Sequence, residues 1–320
     1  MGWVCPICST SNLEKDFECF VCGTLKETVV KEYGLLQKIN LLIKHLRKKH
    51  QDDSVNEDYI REIYEIGLEA YIKKDYETAF QKYSEASKAG YPQATNDLGD
   101  CYYFGRGTGI DYKKAFTCFK RSAELGCTEA QYNVGYCYAY AKGVDKSYAK
   151  ALVWYRLAAE KGYSTAINAL GDCYYYGRGV TQSYPKAFEF YLEAAEKGNS
   201  LAMYNVGFCY SYEKGTATNY DKAIEFYKKG YEKGNTNSIN AMGDSYYYGR
   251  GVEKNYSEAV KYYREAADKG FVTAQYNLGH CLEKGYGEEQ NIEKAIYWYK
   301  KAALQGNEHA KSALKRLNKE

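Results

Sequence analysis

Proline is nearly missing from this chain, with three in 320 residues. Proline breaks helices and gathers in loops, so its scarcity points to long helical stretches and away from a loop-rich fold. Histidine is almost as scarce, and the four present, His45, His50, His280 and His309, are too scattered for a catalytic triad or a metallohydrolase centre. No window approaches the roughly 18 uninterrupted apolar residues that a bilayer crossing needs. The start, Met1-Gly2-Trp3-Val4-Cys5, lacks the basic and apolar segments of a secretory signal, and Pro6 stands where a myristoylation signal wants Ser or Thr. These absences predict a soluble cytoplasmic protein. Net charge is small as well: residues 1–25 hold one basic and three acidic residues, 26–50 hold seven and two, and 51–320 hold 36 of each. A nucleic-acid-binding body is more often basic over its main face, so nucleic acid is possible but not favoured.

What the chain has in excess is tyrosine, 38 in all, and a strict internal period. Ala94, Ala130, Ala166, Ala202, Ser238 and Ala274 open six repeats of 36 residues, and Ala310 closes the last. Four residues after each opener stands Leu98, Val134, Leu170, Val206, Met242 or Leu278, then a glycine, and three further on a tyrosine in five repeats of six. That spacing places an apolar stripe on one face of a first helix, A, with a glycine that lets a second helix approach closely. A loop with a fixed glycine, Gly107 to Gly287, leads into helix B. There Ala115, Ala151, Ala187, Ala223, Ala259 and Ala295 each precede an aromatic by four residues, and Gly126 to Gly306 end the helix. A hairpin of this kind cannot bury its apolar face alone, so neighbours must stack.

The pattern Leu170-Gly171, Tyr174, Gly177-Arg178-Gly179-Val180, Lys186-Ala187, Tyr191, Ala194-Ala195-Glu196-Lys197-Gly198 resembles the Sel1-like repeat. The resemblance implies an all-α fold, an α/α solenoid of helical hairpins in a right-handed superhelix, that holds protein partners without catalysing a reaction. Upstream, Gly67, Ala79, Tyr83, Ala86 and Gly90 form a hairpin whose loop is four residues shorter, similar to the related tetratricopeptide repeat. The expected organisation is a zinc finger over 1–25, a basic amphipathic helix over 26–50, a linker over 51–56 and a capping hairpin over 57–93. Six repeats over 94–309 and a C-terminal capping helix over 310–320 complete it.

Alternate repeats differ on the other side of helix A, giving a true period of 72. One set carries Asn96, Asn168 and Asn240, then Asp100, Asp172 and Asp244, then Tyr103, Tyr175 and Tyr247. The other carries Tyr132, Tyr204 and Tyr276, followed directly by Asn133, Asn205 and Asn277, then Tyr136, Phe208 and His280. Two readings stand. The alternation is either inter-repeat packing inherited from a duplicated pair of hairpins, or a concave groove. An idle solvated face would carry Lys and Glu, whereas Tyr and Asn supply rigid contact area and backbone hydrogen bonding.

Four of the eleven cysteines read Cys5-x2-Cys8 and Cys19-x2-Cys22, two knuckles ten residues apart. About 25 residues bury too little to fold unaided, and four thiolates at this spacing predict one structural zinc rather than disulfides or a redox pair. With Trp3 before the first Cys and Asn12 after the second, the segment resembles the RanBP2-type finger or a short zinc ribbon. Ubiquitin-binding members carry Thr-Phe where this chain has Ser9-Thr10. Single-stranded-RNA-binding members carry paired arginines where it has Leu13 to Glu18, so neither contact set carries over. Cys101, Cys137, Cys173, Cys209 and Cys281 share one repeat position and read as small packing residues, reduced in the cell. The function predicted is a monomeric protein–protein adaptor binding an extended peptide or protein in the concave groove, with the zinc finger as a second docking module. The alternatives are single-stranded RNA binding through finger and basic helix, or a regulatory subunit of an enzyme.

Overall fold

The computed structural model describes residues 54–317 together with two short strands, Trp3–Val4 (β1) and Ser11–Asn12 (β2). The strands pair antiparallel, Trp3 opposite Asn12 and Val4 opposite Ser11. Cys5, Cys8, Cys19, Cys22 and the amphipathic segment 26–50 lie outside the described residues.

The helices fall into two compact bodies, Met1–Ser183 and Tyr184–Glu320. The first holds α1 (Ser54–Ile72), α2 (Tyr76–Lys88), α3 (Pro92–Phe104), α4 (Tyr112–Glu124), α5 (Thr128–Tyr140), α6 (Tyr148–Glu160) and α7 (Ser164–Tyr176). The second holds α8 (Tyr184–Glu196), α9 (Ser200–Ser211), α10 (Tyr220–Glu232), α11 (Thr236–Tyr248), α12 (Tyr256–Asp268), α13 (Val272–Lys284), α14 (Ile292–Leu304) and α15 (Glu308–Leu317). Helix α1 starts inside the stretch expected to be a linker. Ser54-x-x-Glu57 is a capping-box sequence, which favours a helix start at that point.

Most of the B helices begin at a capping side chain. Asp111 accepts from the Lys114 N–H at 2.9 Å, and Asn219 from the Lys222 N–H at 2.9 Å, each filling one of the donors that a helix start leaves open. Helix A packs on helix B through the small-against-aromatic pairs. A Cβ on Gly135 would lie 2.6 Å from the Tyr155 ring, and one on Gly207 2.5 Å from Tyr227, so a side chain at either glycine would push the hairpin apart. Val134, Val206 and Leu278 are fully buried alongside, and five cysteines at the shared position are at most 4% exposed, deeper than the sequence suggested.

One contact shows the repeats compensating for each other. Ser238 stands where the other five repeats open with Ala, and a Cβ on Gly230 would fall on its Oγ. That hydroxyl is buried without a hydrogen-bond partner. Gly230→Ala should therefore cost about 1–3 kcal/mol by overpacking. Gly230→Ala combined with Ser238→Ala should instead exceed wild type by up to about 1 kcal/mol, since Ala is the better helix former. Urea denaturation of the three variants checks this, and additive effects would contradict the contact.

Candidate functional site

The helix-A face is built on asparagine chains of fixed polarity. In the first body, Asn133 Nδ2 donates to Asn96 Oδ1 at 3.0 Å, and Asn96 Nδ2 donates to Asp97 Oδ1 at 3.2 Å. In the second, Asn277 Nδ2 donates to Asn240 Oδ1 at 3.2 Å, and Asn240 Nδ2 donates to Asp244 Oδ2 at 3.0 Å. A carboxylate only accepts, so it turns the NH2 of the adjacent asparagine toward itself, and that asparagine offers its oxygen to the next. Each chain then ends at the half-buried Asn133 or Asn277, whose Oδ1 accepts no hydrogen bond from the other described residues. Asn96, Asn168 and Asn240 are buried, at 2, 4 and 7% exposure, so this part of the predicted groove lies within the packing between repeats. Asn168, Asp172 and Asn205 are engaged in contacts of their own.

Aromatic rings line the rest. In the first body Tyr136 lies 6.3 Å from both Tyr103 and Tyr132 and 4.5 Å from Tyr140, while Tyr175 packs edge-on to Tyr176 at 4.8 Å. In the second, Phe208 lies 6.2 Å from Tyr204 and 4.6 Å from Tyr212, and His280 is 6.4 Å from both Tyr247 and Tyr276. Burial holds the His280 pKa below the usual imidazole value.

The second body contains a cavity of about 200 Å³ on this face, walled by Tyr204, Phe208, Tyr212 and Tyr227, with Asp244 and Arg250 also lining it. Burial pushes the Asp244 carboxyl up to about 6 even though Tyr263 donates to its Oδ1 at 2.7 Å and Asn240 to its Oδ2. The equivalent Asp100 is pushed up to about 7, by burial first and then by Asp97 and Glu129. It lacks the phenol that Tyr263 supplies, because Phe119 occupies that repeat position.

The sequence pattern singles out the fixed loop glycines but not the cavity residues Tyr212, Tyr227 and Arg250. In the structure the residue directly before the fixed loop glycine sits on an aromatic ring, and this recurs along the chain. Arg106 lies 4.8 Å from the centroid of Phe104, Lys142 4.7 Å from Tyr112, Arg178 4.5 Å from Tyr176, Lys214 4.6 Å from Tyr184 and Arg250 4.8 Å from Tyr248. In the last repeat Tyr286 stacks on Tyr256 instead, at 4.7 Å. The available signal was the basic residue repeating every 36 residues.

Among the described residues no group of three His, Cys, Asp or Glu side chains is placed to hold a metal. The seven cysteines there are free, and burial pushes thiols such as Cys137 and Cys209 up to about 12, away from nucleophilic use. No described helix is long and apolar enough to cross a membrane.

The Sel1 repeat model matches seven consecutive segments, 62–91, 92–127, 128–163, 164–199, 200–235, 236–271 and 272–307. The chain belongs to the Sel1 repeat family. The family match includes the first hairpin, 62–91, which its short loop had likened to a tetratricopeptide. The chain is similar to c5321, a protective antigen of uropathogenic Escherichia coli with an SLR fold, at 32% identity and a TM-score of 0.63. That match covers 86% of this chain and 59% of c5321, so this chain spans less than two thirds of that one. A Sel1 repeat protein from Oxalobacter formigenes matches at 30% identity with a TM-score of 0.67, covering 75% of this chain and 96% of that one. The immunity protein PA5088 from Pseudomonas aeruginosa shares the fold, at 18% identity and a TM-score of 0.50, over 65% of this chain and 83% of that one. No protein with a curated description matches. Sel1 repeat proteins are in general protein-interaction scaffolds, and the Sel1 solenoid here is all-helical from Ser54 to Leu317.

Proposed function

We propose that this Sel1 repeat protein is a non-enzymatic adaptor that binds an extended peptide or protein segment on its helix-A faces. The observation that carries the reading is the cavity walled by Tyr204, Phe208, Tyr212 and Tyr227 beside a carboxylate and an asparagine chain. Rigid aromatics with few rotors and convergent polar groups are the composition of binding hot spots, whereas a face used only for packing leaves no such recess. Tyr204→Ala with Asn205→Ala should weaken a purified partner's binding by about 1–3 kcal/mol, as loss of an aromatic anchor and a hydrogen-bonding group implies. Lys228→Ala with Lys229→Ala, exposed on helix α10, should leave binding unchanged. A groove variant that binds as wild type, or that unfolds, would return the alternation to packing alone.

The second docking element is the N-terminal finger, with Cys5, Cys8, Cys19 and Cys22 holding one structural zinc. The support is the knuckle spacing, with the pairing of Val4 and Ser11 beside it in sequence. Elemental analysis after dialysis should give one zinc per chain, and close to none in Cys5→Ser/Cys8→Ser. The helical circular dichroism should persist under chelator, because the repeats have a core of their own.

A further inference from the structure

We propose that the cavity beside Asp244 takes one cationic side chain, a lysine or arginine, from the bound segment, and that Asn277 Oδ1 accepts a backbone N–H of the same segment. This deepens the adaptor reading and rests on it.

At about 200 Å³ the cavity is smaller than the roughly 300 Å³ at which small-molecule sites begin, and it suits a single side chain. Its walls are the rings of Tyr204, Phe208, Tyr212 and Tyr227, whose faces attract a cation through their quadrupoles. The carboxylate of Asp244 accepts from Tyr263 and, at 3.4 Å, from Asn277 on Oδ1 and from Asn240 on Oδ2, so Oδ2 keeps a lone pair for a further donor. The cation already lining the cavity does not neutralise it by contact. Arg250 makes no ion pair with Asp244 and is held instead on the Tyr248 ring, with a hydrogen bond at 3.3 Å to the Tyr212 hydroxyl. Burial raises the Asp244 pKa in spite of its donors and of the nearby Arg250 charge, so a cation in direct contact would favour the ionised form.

The polarity of the asparagine chain decides the rest. Since Asp244 fixes Asn240 and Asn240 fixes Asn277, the group left for a ligand is an acceptor, beside a carboxylate that also accepts. A matching partner presents donors at both points, a backbone N–H and a cationic head. The arginine, ring and carboxylate positions of this site recur 72 residues earlier in the first body. There Arg178 lies 4.5 Å from the Tyr176 ring and 3.5 Å from the Tyr140 hydroxyl, and Asp172 acts electrostatically on Tyr132 and Tyr155.

The test is a titration of the full chain, carrying 13C-labelled Tyr and Phe rings, with side-chain mimics followed by NMR. The probes are n-butylammonium and n-butylguanidinium for the cations, p-cresol for an aromatic side chain and propionate for an acidic one. The cations should shift the rings of Tyr204, Phe208 and Tyr212 saturably in the millimolar range. Asp244→Asn should weaken this at least fivefold, and Asp221→Asn, exposed at the start of α10, should not change it. If Asp244→Asn loses its helical circular dichroism, Phe208→Leu, which keeps the carboxylate, serves instead and should weaken cation binding at least threefold. Binding of p-cresol or propionate in place of the cations, or cation binding indifferent to both substitutions, would overturn the assignment. In that case loss of partner binding by Tyr204→Ala/Asn205→Ala would still uphold the adaptor reading. Cation binding with no effect of that pair on the partner would sink the adaptor reading alone.

Discussion

Gly143→Ala should destabilise the protein by about 3 kcal/mol or more, the largest cost expected of adding one methyl group anywhere in the first body. Two effects combine there. Gly143 has φ 73°, a left-handed conformation that costs an L-residue about 1–2 kcal/mol. An added Cβ would also fall on the carbonyl of Tyr112, at the start of helix B in the preceding repeat. That obstacle is backbone, so no rotamer change relieves it, and overpacking of this kind costs about 1–3 kcal/mol more. Gly126→Ala is the comparison. Gly126 has φ 95° but open space around its missing Cβ, so it should show the conformational cost alone. Urea denaturation followed by far-UV circular dichroism separates the two. Equal losses would mean that loop and helix do not approach as described.

The same glycine shows why the period was so legible in the sequence. Stacked hairpins meet at points where only a missing side chain fits, so glycines and small residues recur at fixed spacing and the repeat length can be counted without structural knowledge. The core positions followed for the same reason: Val134, Leu170 and Leu278 fall on one helical stripe and are buried. The helix start at Ser54 was hidden because the polar run before it resembles a linker, although its capping-box spacing was present. The site was only partly readable. Periodicity placed Asn, Asp and Tyr on one face, but it could not show that Asn133 donates to Asn96, 37 residues away, or that a carboxylate orients the chain. Those facts depend on which side chains meet between repeats. The loop arginines were not legible as packing residues for a similar reason, since a turn residue in one repeat becomes a packing residue once its neighbour supplies a ring.

Stability should fall as pH rises from about 4 to 7, and Asp100 should carry much of that slope. Its folded pKa of about 7 lies above the ordinary aspartate value of 3.8, with burial as the leading cause, followed by Asp97 and Glu129. For a group raised in this way, the folded state holds a proton that the unfolded state has lost. Its stabilisation is therefore complete below the unfolded value and disappears as pH passes through the folded one. One such group gives at most about 1.4 kcal/mol per pH unit, and solvent reaching a half-buried carboxyl reduces this. Asp244, at about 6, adds a slope of the same sign over a narrower window. Glu283 opposes them at lower pH. Its burial is outweighed by Arg316, Lys284 and Tyr299, which hold it at about 2, so its contribution is present above about 4.5 and lost as pH falls toward 2. Asp100→Asn should leave the thermal midpoint near wild type at pH 4 and raise it at pH 8. Phe119→Tyr should act in the same direction by giving Asp100 the phenol that Tyr263 gives Asp244, a hydrogen bond to a charged group worth about 1.5–3 kcal/mol. Thermal melts at the two pH values, read on the full chain, decide it. A shift from Asp100→Asn that is the same at pH 4 and pH 8 would show that this carboxyl does not hold the proton.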